Sequence, residues 1–198
     1  MDGSRHGFLD SGGAFTTIDD PKAPTSSEAL DINHRSQIVG DYTLADGSTH
    51  GFLDSGGAFT TIDHPRATGT RPEEINDSSA IVGNYQLSSG INNGFLDVGG
   101  VFNTVNVPAA LGGGTRALGI NNAGEIVGLY VDSLGIPHGF LDVGGTFSTI
   151  DFPGAVATGA GGINNLGDIV GVQGNAAGWT RAAACSLSPF LAPYAPNR

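Results

Sequence analysis

Seven charged side chains stand out in a chain otherwise poor in chemistry: Lys22, His64, Arg66, Arg71, Glu73, Glu74 and Arg116. Carboxyls and a histidine base can support attack by water, which is the chemistry of a hydrolase. His64, Glu73 and Glu74 are the set that would do it, in a glycosidase- or esterase-like reaction. The same groups, with the lysine and arginines, could instead hold a polar ligand by charge-assisted hydrogen bonds. No Gly-x-Ser-x-Gly elbow, phosphate loop or His-Glu-x-x-His helix accompanies them. Asn122-Ala123-Gly124-Glu125 and Asn165-Leu166-Gly167-Asp168 lack the repeated aspartates and distal glutamate of a calcium loop, so they read as hairpin turns.

What singles these residues out is that they break a repeat. The stretch His50 to Asp63, HGFLDSGGAFTTID, returns almost verbatim at His6 to Asp19 and in weaker copies at Asn93 to Asn106 and His138 to Asp151. Its first glycine falls at Gly7, Gly51, Gly94 and Gly139, giving spacings of 44, 43 and 45 residues. A fixed period of that size indicates one supersecondary unit per copy.

Each period carries four strand-like runs. In the third they are Thr115 to Asn121, Glu125 to Val131, His138 to Asp142 and Thr146 to Asp151. Gly144-Gly145 between the last two is a type I′ hairpin signal, because both central residues need positive φ. Pro21, Pro65, Pro108 and Pro153 stop the fourth strands, since proline cannot donate to a ladder. Adjacent apolar residues such as Ile126-Val127 point to opposite faces, so the sheets must be buried on both sides. Four-stranded antiparallel sheets buried on both sides and repeated at about 44 residues predict a four-bladed β-propeller. The chain opens with strands three and four and its regular part ends with strands one and two. One blade is therefore expected to be closed by both termini, which removes exposed edges. The glycine after each Ile-Val is expected to admit a neighbouring sheet. Residues 1–180 form the single expected domain, and 181–198 an irregular, proline-rich tail.

The hairpin register brings two further positions together. With a two-residue Gly12-Gly13 turn, Phe8 faces Thr17 and His6 faces Asp19. The same register sets His50 against Asp63 and His138 against Asp151. In the remaining copy both partners change, to Asn93 and Asn106. A joint change within one chain marks directly opposed residues on neighbouring strands. With no serine or cysteine beside them, these pairs read as structural clamps.

Eight basic against nineteen acidic residues give a net charge of −11, which disfavours nucleic acid and anionic membranes. No apolar run is long enough to span a bilayer. The single cysteine, Cys185, allows no internal disulfide and has no catalytic neighbour. Met1 to Arg5 has no signal-peptide character and runs straight into a repeat, so the chain is expected to begin inside a longer parent.

Gly119-Ile120-Asn121-Asn122-Ala123-Gly124-Glu125-Ile126-Val127-Gly128, His138-Gly139-Phe140-Leu141-Asp142 and Phe147-Ser148-Thr149-Ile150-Asp151-Phe152-Pro153-Gly154 resemble the bacterial HAF-repeat family. The resemblance spans residues 6 to about 177 and implies an exported, extracellular bacterial origin. It transfers no activity. Propeller geometry places the uniform Asn and Gly-Gly turns on one face and the variable loops on the other, where function concentrates. The resulting expectation is a monomeric, non-catalytic ligand-binding or adhesion module recognising carbohydrate or protein through its variable face. The alternatives are the hydrolase above and a structural spacer. No cofactor is expected, a cation such as calcium in the central channel being the one candidate.

Overall fold

The alternation read from the sequence folds as strands throughout. A computed structural model describes residues 4–23, 26–110 and 114–174. The tail 181–198, with Cys185, and the Gly178-Trp179-Thr180 remnant lie outside the described residues. The fold is all-β: sixteen strands and, among the described residues, no helix. None of the described residues forms a helix long and apolar enough to cross a membrane.

Three complete antiparallel units are present. The first is β3 (Ser27–Ile32), β4 (Gln37–Thr43), β5 (Thr49–Ser55) and β6 (Ala58–Ile62). The second is β7 (Gly69–Ile75), β8 (Ala80–Gln86), β9 (Asn92–Val98) and β10 (Val101–Val105). The third is β11 (Thr115–Ile120), β12 (Ile126–Val131), β13 (Pro137–Val143) and β14 (Thr146–Ile150). A hairpin of β1 (Gly7–Ser11) and β2 (Ala14–Ile18) precedes them, and one of β15 (Ala157–Ile163) and β16 (Ile169–Gly174) follows. One parallel bridge, Thr49 to Gly69, joins the first two units into a single sheet.

The core is a series of clusters between successive units. Val39 of the first unit packs with Ile75, Ile81, Tyr85 and Phe95 of the second, and Val82 of the second packs with Ala117, Ile120, Ile126 and Phe140 of the third. This is why the second strands carry adjacent apolar residues: one side faces its own unit and the other its neighbour.

The glycine after each Ile-Val has a different role from the one expected. A Cβ on Gly40 would lie 1.9 Å from the Glu28 carbonyl and 2.7 Å from the Phe52 ring. On Gly83 it would meet Arg71 O at 2.2 Å and Phe95 at 2.9 Å, and on Gly128 Arg116 O at 1.9 Å and Phe140 at 2.8 Å. The residue is glycine because the carbonyl of the paired first strand, and beyond it the phenylalanine of the paired third strand, already fill the Cβ position. The neighbouring sheet is not what needs the room.

The hairpin register is the one read from the sequence, with Phe8 opposite Thr17 and Gly7 opposite Ile18. Both central glycines of each turn have positive φ, 63° and 89° at Gly12 and Gly13. The aspartate of each Gly-Phe-Leu-Asp caps its own turn: Gly13, Gly57, Gly100 and Gly145 donate their amides to Asp10, Asp54, Asp97 and Asp142 at 2.6–2.8 Å.

The Asn turns tie the units together. Asn33 Nδ2 donates to Asn76 O at 3.1 Å, Asn76 Nδ2 to Asn121 O at 3.1 Å, and Asn121 Nδ2 to Asn164 O at 3.2 Å. A parallel run of bonds connects the amides of His34, Asp77 and Asn122 to the side chains of Asp77, Asn122 and Asn165. Among the described residues β1 pairs only with β2 and β16 only with β15. Phe8 is accordingly 65% exposed and Val170 70%, where their counterparts Phe52, Phe95, Phe140, Val39, Val82 and Val127 are 0% exposed.

Candidate functional site

The first two strands of each unit carry one opposed pair of side chains that differs in every unit. The pairs are Glu28 with Asp41, Arg71 with Asn84, Arg116 with Leu129, and Gly159 with Val172. Three of the seven residues singled out by sequence converge beside this row: Arg71, Glu73 and Arg116. Arg71 Nη1 reaches Asp41 Oδ1 at 2.9 Å and Glu28 Oε2 at 3.2 Å, while its Nε lies 3.3 Å from Glu73 Oε1. Glu73 also accepts from Asn84 Nδ2 at 2.9 Å, and Arg5 pairs with Glu28 on the far side. A β-bulge between Pro72 and Glu74 leaves Glu73 out of the ladder and turns it toward Arg71.

The electrostatics follow from burial and from three carboxylates around one guanidinium. Burial pushes Asp41 up to about 7; Arg71 opposes this, and Glu28 and Glu73 add to it. Burial alone would lower Arg71, but Asp41, Glu73 and Glu28 outweigh it and hold it above its ordinary value. Arg116 goes the other way: burial lowers it, Glu73 opposes, and Arg71 lowers it further. Among the described residues the Arg116 guanidinium makes no hydrogen bond or ion pair, and its buried Nε has no partner. The Asn84 side chain is 4% exposed and its Oδ1 is likewise without a partner.

A cavity of about 130 Å³ opens here, lined by Thr49, Arg71, Asn84, Gln86, Asn92 and Arg116 among others. It lies at the starts of the first strands, beside the loops joining strands two and three. That is the face the sequence reading assigned to variable loops.

The other four residues are placed elsewhere. His64 stacks on Tyr85 with ring centroids 3.7 Å apart and meets the edge of Phe102. Its place is explained by the other units, where His50 stacks on Tyr42 and His138 on Tyr130 at 5.3 and 5.2 Å. Position 93 is asparagine, so His64 from the inter-unit turn supplies the ring that this unit lacks. Burial and then Arg66 lower its pKa, favouring the neutral ring. Arg66 is exposed on the same turn, its amide 3.4 Å from His64 Nδ1. Lys22 bonds Thr61 and lies 5.9 Å from the Tyr42 ring centroid. Glu74 points to the next unit, where its Oε2 accepts from the Ile120 amide at 3.0 Å. Burial pushes Glu74 up to about 7; that bond opposes the shift, and Asp31 adds to it. His64, Glu73 and Glu74 therefore make no contact with one another that would assemble a hydrolytic centre.

The clamp pairs form as the register requires. His6 Nδ1 lies 2.7 Å from Asp19, His50 Nδ1 2.9 Å from Asp63, and His138 Nδ1 2.9 Å from Asp151. Asn106 Nδ2 donates to Asn93 Oδ1 at 2.7 Å. No three His, Cys, Asp or Glu side chains converge on a metal-sized point among the described residues.

Sequence reasoning missed Glu28, Asp41 and Asn84. The signal lay directly after each Ile-Val-Gly, where Asp41, Asn84, Leu129 and Val172 replace one another.

No protein-family model matches the chain, and no curated protein matches it. Among solved structures it is similar to a triple arginine-to-alanine mutant of AofleA from Arthrobotrys oligospora, at 15% identity and a TM-score of 0.38. The match covers 73% of this chain and 49% of that one, so the chain spans about half its length.

Proposed function

We propose that the chain is a non-catalytic carbohydrate-binding module of an exported, extracellular bacterial repeat protein, and that its four-stranded units are blades of a β-propeller. The convergence of non-repeated polar side chains on the cavity at Arg71, Asn84 and Arg116 carries the binding reading. At about 130 Å³ the cavity falls well below the ~300–1,000 Å³ of drug-sized pockets. One sugar ring or a chain end is the natural occupant, whereas a protein surface needs a broader footprint. Buried polar atoms without partners are costly unless a ligand or water satisfies them.

For the fold, the internal repeats supply the register of closure. Phe52 lies opposite Gly40, Phe95 opposite Gly83 and Phe140 opposite Gly128. Phe8 against Gly171 would complete a fourth blade in the same way and cover the exposed Phe8 and Val170.

Ligand-observed NMR against a panel of neutral and acidic monosaccharides and short oligosaccharides tests the function. Binding is expected in the wild type and lost in Asn84→Ala, with no turnover of chromogenic glycoside or ester substrates. Turnover that disappears with Glu73→Gln would replace the binding reading with the hydrolytic one.

A further inference from the structure

The cavity states what its ligand must bring. We propose that it takes a sugar acid: one carboxylate paired with the Arg116 guanidinium, and a ring hydroxyl donating to Asn84 Oδ1. This rests on the carbohydrate reading and narrows it to a substrate class.

Arg71 is already saturated with carboxylates, reaching Glu28, Asp41 and Glu73. Arg116 has no such partner, yet it is half-buried beside Arg71 with its Nε fully enclosed, and it cannot shed its proton. A guanidinium held this way gains most from a bidentate anion, which offsets its desolvation. Its nearest protein countercharge, Glu73, is engaged with Arg71 and Asn84.

Asn84 sets the second requirement. One N–H of its amide is used by Glu73, while its buried acceptor Oδ1 has no partner, so a ligand that satisfies it must offer a donor. Inorganic sulfate presents only acceptors to that atom, and inorganic phosphate, though it keeps a P–OH donor, would, like sulfate, bring a compact anion up to Glu73 and Asp41. A hydroxycarboxylic acid presents both signs of hydrogen-bonding group a few ångströms apart. Thr49, Gln86 and Asn92 on the rim can serve the remaining hydroxyls. The acidic surface, at −11 overall, further favours a ligand with a single carboxylate over a polyanion.

The test is titration calorimetry at physiological salt with four probes: D-glucuronate, D-galacturonate and their neutral parents glucose and galactose. At least one uronate is expected to bind tenfold or more tightly than its neutral parent. Arg116→Gln should erase that preference, and Arg116→Lys should restore part of it. Thermal melting provides a readout independent of affinity. Arg116→Gln should melt no lower than wild type, because it removes a half-buried charge whose enclosed Nε has no partner, and uronate should raise only the wild-type midpoint. Equal affinity for acid and neutral sugar overturns the inference and leaves the carbohydrate reading standing. Competition by lactate as strong as by uronate overturns it too, since the site would then need no ring. If no saccharide in the set or in the wider panel binds, the carbohydrate reading itself fails.

Discussion

Asp41→Asn separates the buried charge network from the rest of the molecule. Asp41 is 4% exposed and shares Arg71 with Glu28 and Glu73, while Arg5 stands beyond Glu28. In the unfolded chain its carboxyl loses its proton near 3.8; in the fold it does so near 7. Between those values the folded state binds more protons than the unfolded one, so this group's contribution to stability falls as pH rises. A displacement from 3.8 to about 7 corresponds to a ceiling of roughly 4 kcal/mol. Asparagine keeps the carbonyl that accepts from Arg71 and cannot ionise. Urea unfolding of both proteins at pH 4.5, 6, 7 and 8 reads the effect. The variant is expected to gain on the wild type by a few kcal/mol between pH 4.5 and 8, with most of the change below pH 7. Comparing the two proteins cancels the similar contributions of Glu74 and Asp97, which burial also pushes up. A stability difference that is flat across this range, or that favours the wild type more as pH rises, would refute the reasoning.

Further outcomes follow from the frame. Asn76→Ala removes acceptors for the Ser78 and Ala80 amides and the donor to Asn121 O, at a cost of about 2–3 kcal/mol in urea unfolding. Asn164→Ala, whose side chain is exposed and among the described residues bonds only within its own turn, should cost about 1 kcal/mol. Gly83→Ala places a Cβ 2.2 Å from Arg71 O and should destabilise by about 3 kcal/mol or more, visible as a large drop in melting temperature. His64→Ala should cost about 1 kcal/mol in the wild type. It should cost less in an Asn93→His/Asn106→Asp background, because the restored histidine can cover Tyr85; a double-mutant cycle measures the coupling. Leu9 and Val170 occupy the positions that Leu53 and Val39 pair across. In a Cys185→Ser chain, Leu9→Cys with Val170→Cys should therefore form an intramolecular disulfide if the fourth blade closes; free thiols or linked dimers would count against closure.

The frame was legible because each unit repeats the same local requirement. Gly-Gly demanded a turn with positive φ, and the turn fixed the register that brings His50 to Asp63 and Asn93 to Asn106. The site was legible only in part. Arg71, Glu73 and Arg116 broke the symmetry visibly, whereas Asp41 and Asn84 sat in strands whose apolar neighbours Ile38, Val39, Ile81 and Val82 dominated the pattern. His64 looked chemical by residue type. Its stacking on Tyr85 could be read only once the turn before β7 was seen to lie over the second strand. Adjacent Glu73 and Glu74 looked like a pair, but the bulge separates their targets, sending one to Arg71 and the other to Ile120.

The two ends of the first strands are held by different kinds of bond, and that difference explains why variation gathers at one of them. At the Asn-turn end the units are joined through side chains. Asn33, Asn76 and Asn121 each cap their own turn and reach the next unit's carbonyl, so any other residue type there loses bonds on both sides. At the opposite end neighbouring units meet through backbone: Arg5 bridges Ser26, Thr49 bridges Gly69, and a Cβ on Gly114 would lie 2.5 Å from Asn92 O. Backbone contacts of this kind set the frame without the side chains at 28, 41, 71, 84, 116 and 129, and the ion pairs of Arg71 with Glu28 and Asp41 are added across units on top of it. A repeat that must differ somewhere to bind something can differ there without losing the bonds that join its backbones. The same positions carry the Arg71 ion pairs and two of the four unpartnered buried polar atoms among the described residues, so the freedom to vary and the cavity coincide.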